Sequence, residues 1–282
     1  MTYLDDLSRA LAAHGIRGRT RRRILAEFDD HLRSDPGAEE RLGAAHDIAN
    51  TFAAELGAQA SRRAAVGAFA ALGVAGAAYA ASFVSLQLAG QPHDLFEPLL
   101  GALAFAALIV CPQVAFVTGT LALVRAIRLR GQRVLPTNEL VAIRRRTTVA
   151  LGFGLATMAA LALFAYEFRA ELAGWWLALT YGSTAAASLL LALALVPTVR
   201  AAHMRPEIAG DAGDVFDDIG LVRYRAEPWR FARRVAVAVG LVVWLAAAVQ
   251  GDPLDGLLNG IAEGIACLGA YAVLGRYIAL RR

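Results

Sequence analysis

Residues 64–89 read AAVGAFAALGVAGAAYAASFVSLQLA, twenty-six positions whose only ionisable side chain is Tyr79. At 1.5 Å rise per residue such a helix is about 39 Å long, more than the roughly 30 Å hydrocarbon core of a bilayer. The run therefore predicts a membrane-spanning helix rather than a soluble core helix. Arg62 and Arg63 stand immediately before it, where cytoplasmic charge is expected. It divides the chain into a polar head, residues 1–60, and an apolar body, residues 64–278.

Further runs of the same kind follow at about 98–124, 148–168, 175–196, 235–250 and 257–278, the fifth short and extendable inward through Trp229–Arg234. The expected fold class is all-α: a polytopic membrane protein with six transmembrane helices in three hairpins, plus a small N-terminal cytoplasmic domain of three helices. The connections alternate in kind. Loops 125–147 and 197–234 hold seven arginines each, and Arg276, Arg281 and Arg282 close the chain. With Arg62 and Arg63 that makes nineteen arginines on one side, against Arg169 alone in the short turns. Both termini are accordingly expected in the cytoplasm.

Composition agrees with this class, at 57% hydrophobic and 18% charged residues. The net charge of +4 is arginine gathered at span ends, which favours anionic lipid or an acidic partner over nucleic acid. The absence of lysine and the abundance of alanine suggest a GC-rich bacterial genome, so the expected location is a bacterial plasma (inner) membrane. The first sixty residues show no apolar core of a cleavable signal, so insertion is expected to rely on the first span. Cys111 and Cys267 fall within apolar runs and read as packing residues.

In the head, Leu4, Leu7 and Leu11 recur at helical spacing before Gly15 and Gly18 interrupt. A second helix is expected at about 20–33, with Ile24, Leu25, Phe28 and Leu32 on one face, ended by Asp35-Pro36-Gly37. A third is expected at about 39–56, with Ile48, Phe52 and Leu56 in register and Gly57 as its C-cap. The segments YLDDLSRAL, RRRILAEFDDHL and RLGAAHDIANTFAAEL resemble the HAAS, or permease-prefix, domain of bacterial membrane proteins. The matching positions are Tyr3, Leu4 and Leu7; Glu27, His31 and Leu32; and Leu42, Gly43, Ile48, Ala49 and Phe52. Ala44-Ala45 replaces the family's usual Asp-Pro or Ser-Pro, and the hairpin between the second and third helices is short. The resemblance implies a cytoplasmic interaction module, often paired with PadR-like transcription regulators or fused to permease-like spans. It does not imply catalysis.

Candidate sites follow from polar groups in apolar places. Glu263 lies about six residues, roughly 9 Å, inside the sixth span, with Asn259 one turn earlier on the same face. Glu263 reads either as a proton carrier or substrate contact, with Asn259 as its companion, or as a protonated or snorkelling carboxyl hydrogen-bonded to a neighbouring helix. Pro112 falls mid-span, where it frees a backbone carbonyl and marks a candidate hinge. Phe28, Phe52, Arg21, Arg22 and Arg23 are the candidate partner-binding residues of the head. His14, His31 and His46 read as surface histidines before they read as zinc ligands. Glu207, Asp211, Asp214, Asp217 and Asp218 read as a solvated acidic loop before a cation site. Trp175-Trp176 and Trp229 read as interfacial belt anchors. Small residues at four-residue spacing (Gly73, Ala77, Ala81; Gly152, Ala156, Ala160; Gly182, Ala186; Gly260, Gly264) read as helix-packing positions, with a homo-oligomer as the second use.

No metal or cofactor motif and no nucleophile–base pair is evident, so the chain is not expected to be an enzyme. Two functions stay open: a signalling membrane protein whose head binds a cytosolic protein, or a permease working alone or with a separate ATPase. Membrane lipids are expected around either.

Overall fold

The computed structural model describes residues 2–35, 37–89, 99–210, 227–249 and 253–278, and every regular element among them is helical. The chain forms two units, residues 1–212 and 213–282.

In the first unit, α1 (Tyr3–Ala13) opens with Thr2, whose backbone N–H and hydroxyl both donate to the Asp5 carboxylate at 3.1 and 2.9 Å. Those bonds hold the Asp5 carboxyl below its ordinary range. Gly15 (φ +82°) and Gly18 (φ +64°) then turn the chain into α2 (Gly18–Ser34), as their place in the sequence predicts. A short α3 (Ala38–Leu42) ends at Gly43, φ +78°.

The expected third helix and first span are not separate. They form one helix, α4 (Ala45–Ala89), of 45 residues and about 68 Å. Gly57 is not a cap but an interior position: a Cβ there would meet the Arg144 guanidinium at 3.2 Å and Leu140 at 3.6 Å. The first turns of α4 join α1 and α2 in one apolar cluster built on Leu7, Leu11, Ile16, Ile24, Ala49 and Ala53.

Three long helices follow: α5 (Leu99–Arg128), α6 (Thr137–Glu167) and α7 (Gly174–Ala202). The expected loop 125–147 is therefore mostly helix, with Arg125 and Arg146 buried near the helix ends while Arg128 and Arg145 stay exposed. The expected loop start at Pro197 is also wrong, since α7 runs through Pro197 to Ala202.

Helices α4 to α7 are each long and apolar enough to cross a membrane, yet only 28–50% of each apolar stretch is buried within the protein. The remaining apolar surface, including Val84, Leu103, Phe116 and Leu189, requires a lipid solvent rather than water.

Within the four-helix body the seam is made by glycines outside the expected small-residue stripes. A Cβ on Gly119 or Gly154 would come within 2.7 or 2.8 Å of Leu72. Gly73, Ala77 and Ala81, by contrast, are exposed, as are Gly152, Ala156, Gly182 and Ala186.

The second unit holds α8 (Pro228–Val249) and α9 (Pro253–Ile278), paired closely. A Cβ on Gly240 would meet the Gly260 carbonyl at 2.7 Å, one on Gly260 would meet the Gly240 carbonyl at 2.5 Å, and one on Gly264 the Ala236 carbonyl at 3.3 Å. Here the expected Gly260/Gly264 stripe does form a helix seam. Gly260→Val should part α8 from α9, because the obstacle is backbone and cannot rotate aside. Engineered disulfide formation between Ala236→Cys and Gly264→Cys should be efficient in the parent and lost in Gly260→Val.

Candidate functional site

The four-helix body and the N-terminal helices are joined by an extended strap, residues 203–210, that leaves α7. Its backbone bonds fall on three different helices. The Arg205 N–H donates to the His14 carbonyl at 3.1 Å, and the His14 ring meets the Arg205 carbonyl at 2.8 Å through Nδ1. A carbonyl can only accept, so Nδ1 carries the proton.

Asn50 of α4 brackets Glu207, accepting from its N–H at 2.7 Å and reaching its carbonyl at 3.5 Å. At the start of α6, Thr137 donates its hydroxyl to the Pro206 carbonyl at 2.7 Å and accepts from the Ile208 N–H at 3.1 Å, while Asn138 donates to the Gly210 carbonyl at 2.8 Å. Arg144 donates to the Met204 carbonyl at 2.9 Å and to the Ser61 hydroxyl at 2.9 Å. An extended segment has no partner of its own for its backbone groups, and these side chains supply one.

Two more polar locks lie beside the strap. Arg125, in the last turn of α5, forms a two-pronged pair with Glu139, in the first turn of α6: Nε to Oε2 at 2.6 Å and Nη2 to Oε1 at 2.8 Å. Their side chains are 2% and 10% exposed. Each charge also sits at the helix end whose dipole favours it. Arg62 of α4 donates to the Leu129 and Gln132 carbonyls at 2.7 and 2.8 Å, closing the α5–α6 turn. The arginine that reads in sequence as a topology signal is also a cap.

Pro112 lies inside α5 as expected. The carbonyl it frees is that of Leu108, four residues back, and the Tyr79 hydroxyl of α4 donates to that oxygen at 3.0 Å. The one ionisable side chain of the opening stretch thus satisfies the one carbonyl that proline orphans. Tyr79→Phe should cost about 1 kcal/mol, the usual size of such a bond between membrane helices. A detergent unfolding titration against the parent protein would measure it.

The other expected site residues fall as follows. The Phe28 and Phe52 rings are half-buried and meet edge to face at 6.1 Å, within the apolar cluster of the N-terminal helices. An aspartate at either would damage that cluster before it tested a partner. Arg22 and Arg23 are exposed, Arg23 with a 2.8 Å pair to Glu27, while Arg21 is half-buried. His14 is not a surface residue: it is 3% exposed and its ring lies 5.0 Å from that of His46. Among the described residues no group of three His, Cys, Asp or Glu side chains could hold a metal ion. Asp211, Asp214, Asp217 and Asp218 lie outside the described residues. Asn259 is exposed and Glu263 half-buried on α9. Trp175 and Trp229 are exposed, as belt anchors should be. Trp176 is not one: it is buried, and its indole N–H donates to the Ser82 carbonyl at 2.9 Å.

The roles of His14, Asn50, Thr137 and Glu139 are not among those expected from the sequence. Glu139 had a legible signal, a lone acid beside seven arginines. The others had none, since their partners lie far off along the chain. Compared with protein-family models, curated proteins and solved structures, the chain matches none of them.

Proposed function

We propose that the protein is a signalling or regulatory protein of a bacterial plasma membrane, with six spans in three hairpins and both termini in the cytoplasm. Its N-terminal helices form a cytoplasmic head of the HAAS type that binds a soluble protein partner, a PadR-like regulator being one class that fits. The observation that carries this reading is α4, a single helix whose first turns belong to the head's apolar cluster and whose later turns belong to the four-helix body. A helix transmits displacement along its axis, and the strap gives the head a second attachment to the body. A shift between helix arrangements in the bilayer would therefore reach the head as a change in position or exposure.

The test is a pull-down from native cytosol with the full-length protein in detergent. A stoichiometric soluble partner, lost on reversing the exposed charge with Arg22→Glu, supports the reading. A preparation that retains no partner, or retains one regardless of the head, removes it.

A permease is the second reading, favoured by Glu263, a half-buried carboxyl on a long apolar helix. Reconstituted flux that survives Glu263→Gln unchanged would exclude the residue from transport.

A further inference from the structure

A cavity of about 460 Å³ opens between α4, α5 and α6, lined by Gly76, Tyr79, Pro112, Gln113, Phe116 and Thr157 among others. Its volume lies within the range of small-molecule sites. It exists because small residues face it: a Cβ added at Gly76 would meet no atom within 4 Å.

The cavity lies deep in the apolar part of the helices. Gln113 is about 21 Å along α5 from Leu99 and about 18 Å from Arg125, counting 1.5 Å per residue. Three polar side chains border it, and two are already committed. The Tyr79 hydroxyl is given to the Leu108 carbonyl, and the Thr157 hydroxyl to the Phe153 carbonyl. The third, Gln113, is exposed and has no side-chain hydrogen bond among the described residues. An unpaired primary amide at that depth in hydrocarbon is expensive, so the site favours an occupant that can bond to it.

We propose that this cavity binds a single-chain amphiphile: an apolar chain bearing one uncharged hydroxyl, carbonyl or amide that bonds to Gln113. A charged headgroup is disfavoured because the cavity offers no counter-ion at that depth. A second copy of the chain is also a poor fit. A helix face presents ridges, and a hollow between three helices floored by Gly76 and Ala75 leaves space that a flexible chain fills better. The binding site stands on this geometry alone. Its service as the stimulus rests on the signalling reading, with Pro112 and the Tyr79–Leu108 bond as the parts an occupant would press upon.

The experiment uses full-length protein in phosphatidylcholine nanodiscs and two photoreactive probes, a palmitoyl-length fatty amide carrying a diazirine and the matching hydrocarbon without the amide. Adducts should concentrate on residues 72–79 and 109–116. Gly76→Leu, which fills the cavity without meeting backbone, should cut adducts there at least about fivefold while those on the exposed α7 face near Leu189 and Leu193 persist. Gln113→Leu should lower labelling by the amide about tenfold, the worth of one hydrogen bond, and leave labelling by the hydrocarbon unchanged. Even labelling over all exposed faces would overturn the proposal. So would indifference to both variants, or wild-type protection of residues 109–116 from both probes, which would mean that protein covers the cavity. Because this readout is probe binding, its failure is separable from failure of the partner pull-down.

Discussion

Arg125→Leu is expected to destabilise the α5–α6 hairpin by about 3–5 kcal/mol, the cost of leaving a buried carboxylate without its cation. The stranded group would be Glu139, 10% exposed and bonded to both prongs of the guanidinium in the parent. The cost arises mainly from the orphaned charge and only partly from the lost attraction. The double variant Arg125→Leu/Glu139→Leu should therefore recover most of the loss, because two apolar groups can fill the space of an ion pair at little net cost. Arg125→Lys should be intermediate: it keeps the charge but cannot donate two parallel bonds. Unfolding titrations of the parent, Arg125→Leu, Glu139→Leu and the double variant in mixed micelles give the coupling directly. Single variants within about 0.5 kcal/mol of the parent would mean that solvent reaches the pair and that it does not hold the hairpin.

The second large effect belongs to Gly15. Its φ of +82° alone makes alanine unfavourable there by about 1–2 kcal/mol. The added Cβ would also run into the His203 carbonyl, which is backbone and part of the strap. Gly15→Ala should thus cost about 3 kcal/mol or more and detach the strap from α1. Gly18 is the internal control. Its φ is also positive, at +64°, but a Cβ there would meet nothing within 4 Å, so Gly18→Ala should show the conformational cost alone. Limited digestion by a glutamyl endopeptidase after Glu207 is the sensitive readout, since that bond lies two residues past the Arg205 N–H held by the His14 carbonyl. Cleavage should accelerate at least about tenfold in Gly15→Ala and little in Gly18→Ala. Equal rates in both would show that α1 does not anchor the strap.

These two predictions rest on features of different legibility. The glycines stand out in the sequence as breaks in a leucine repeat, and the structure makes them turns. Nothing in the sequence, however, places His203 against Gly15, because that contact joins positions nearly two hundred residues apart. The Arg125–Glu139 pair spans only the α5–α6 turn, but it was hidden by the assumption that arginines near span ends face water. The same assumption hid Arg62 as a cap and Arg144 as a strap ligand.

The all-helical class, the apolar stretches of the four long helices and the place of Pro112 are legible in the order of residues alone. These are one-dimensional properties: hydrocarbon demands uninterrupted apolar helices, and their length and composition are readable locally. Packing makes one helix of the head's last helix and the first span, sets residues 203–210 against α1, α4 and α6, and brings Tyr79 to the carbonyl freed by Pro112. Each of these depends on which backbone groups remain unpaired once the helices have packed, and no residue's neighbours along the chain reveal that.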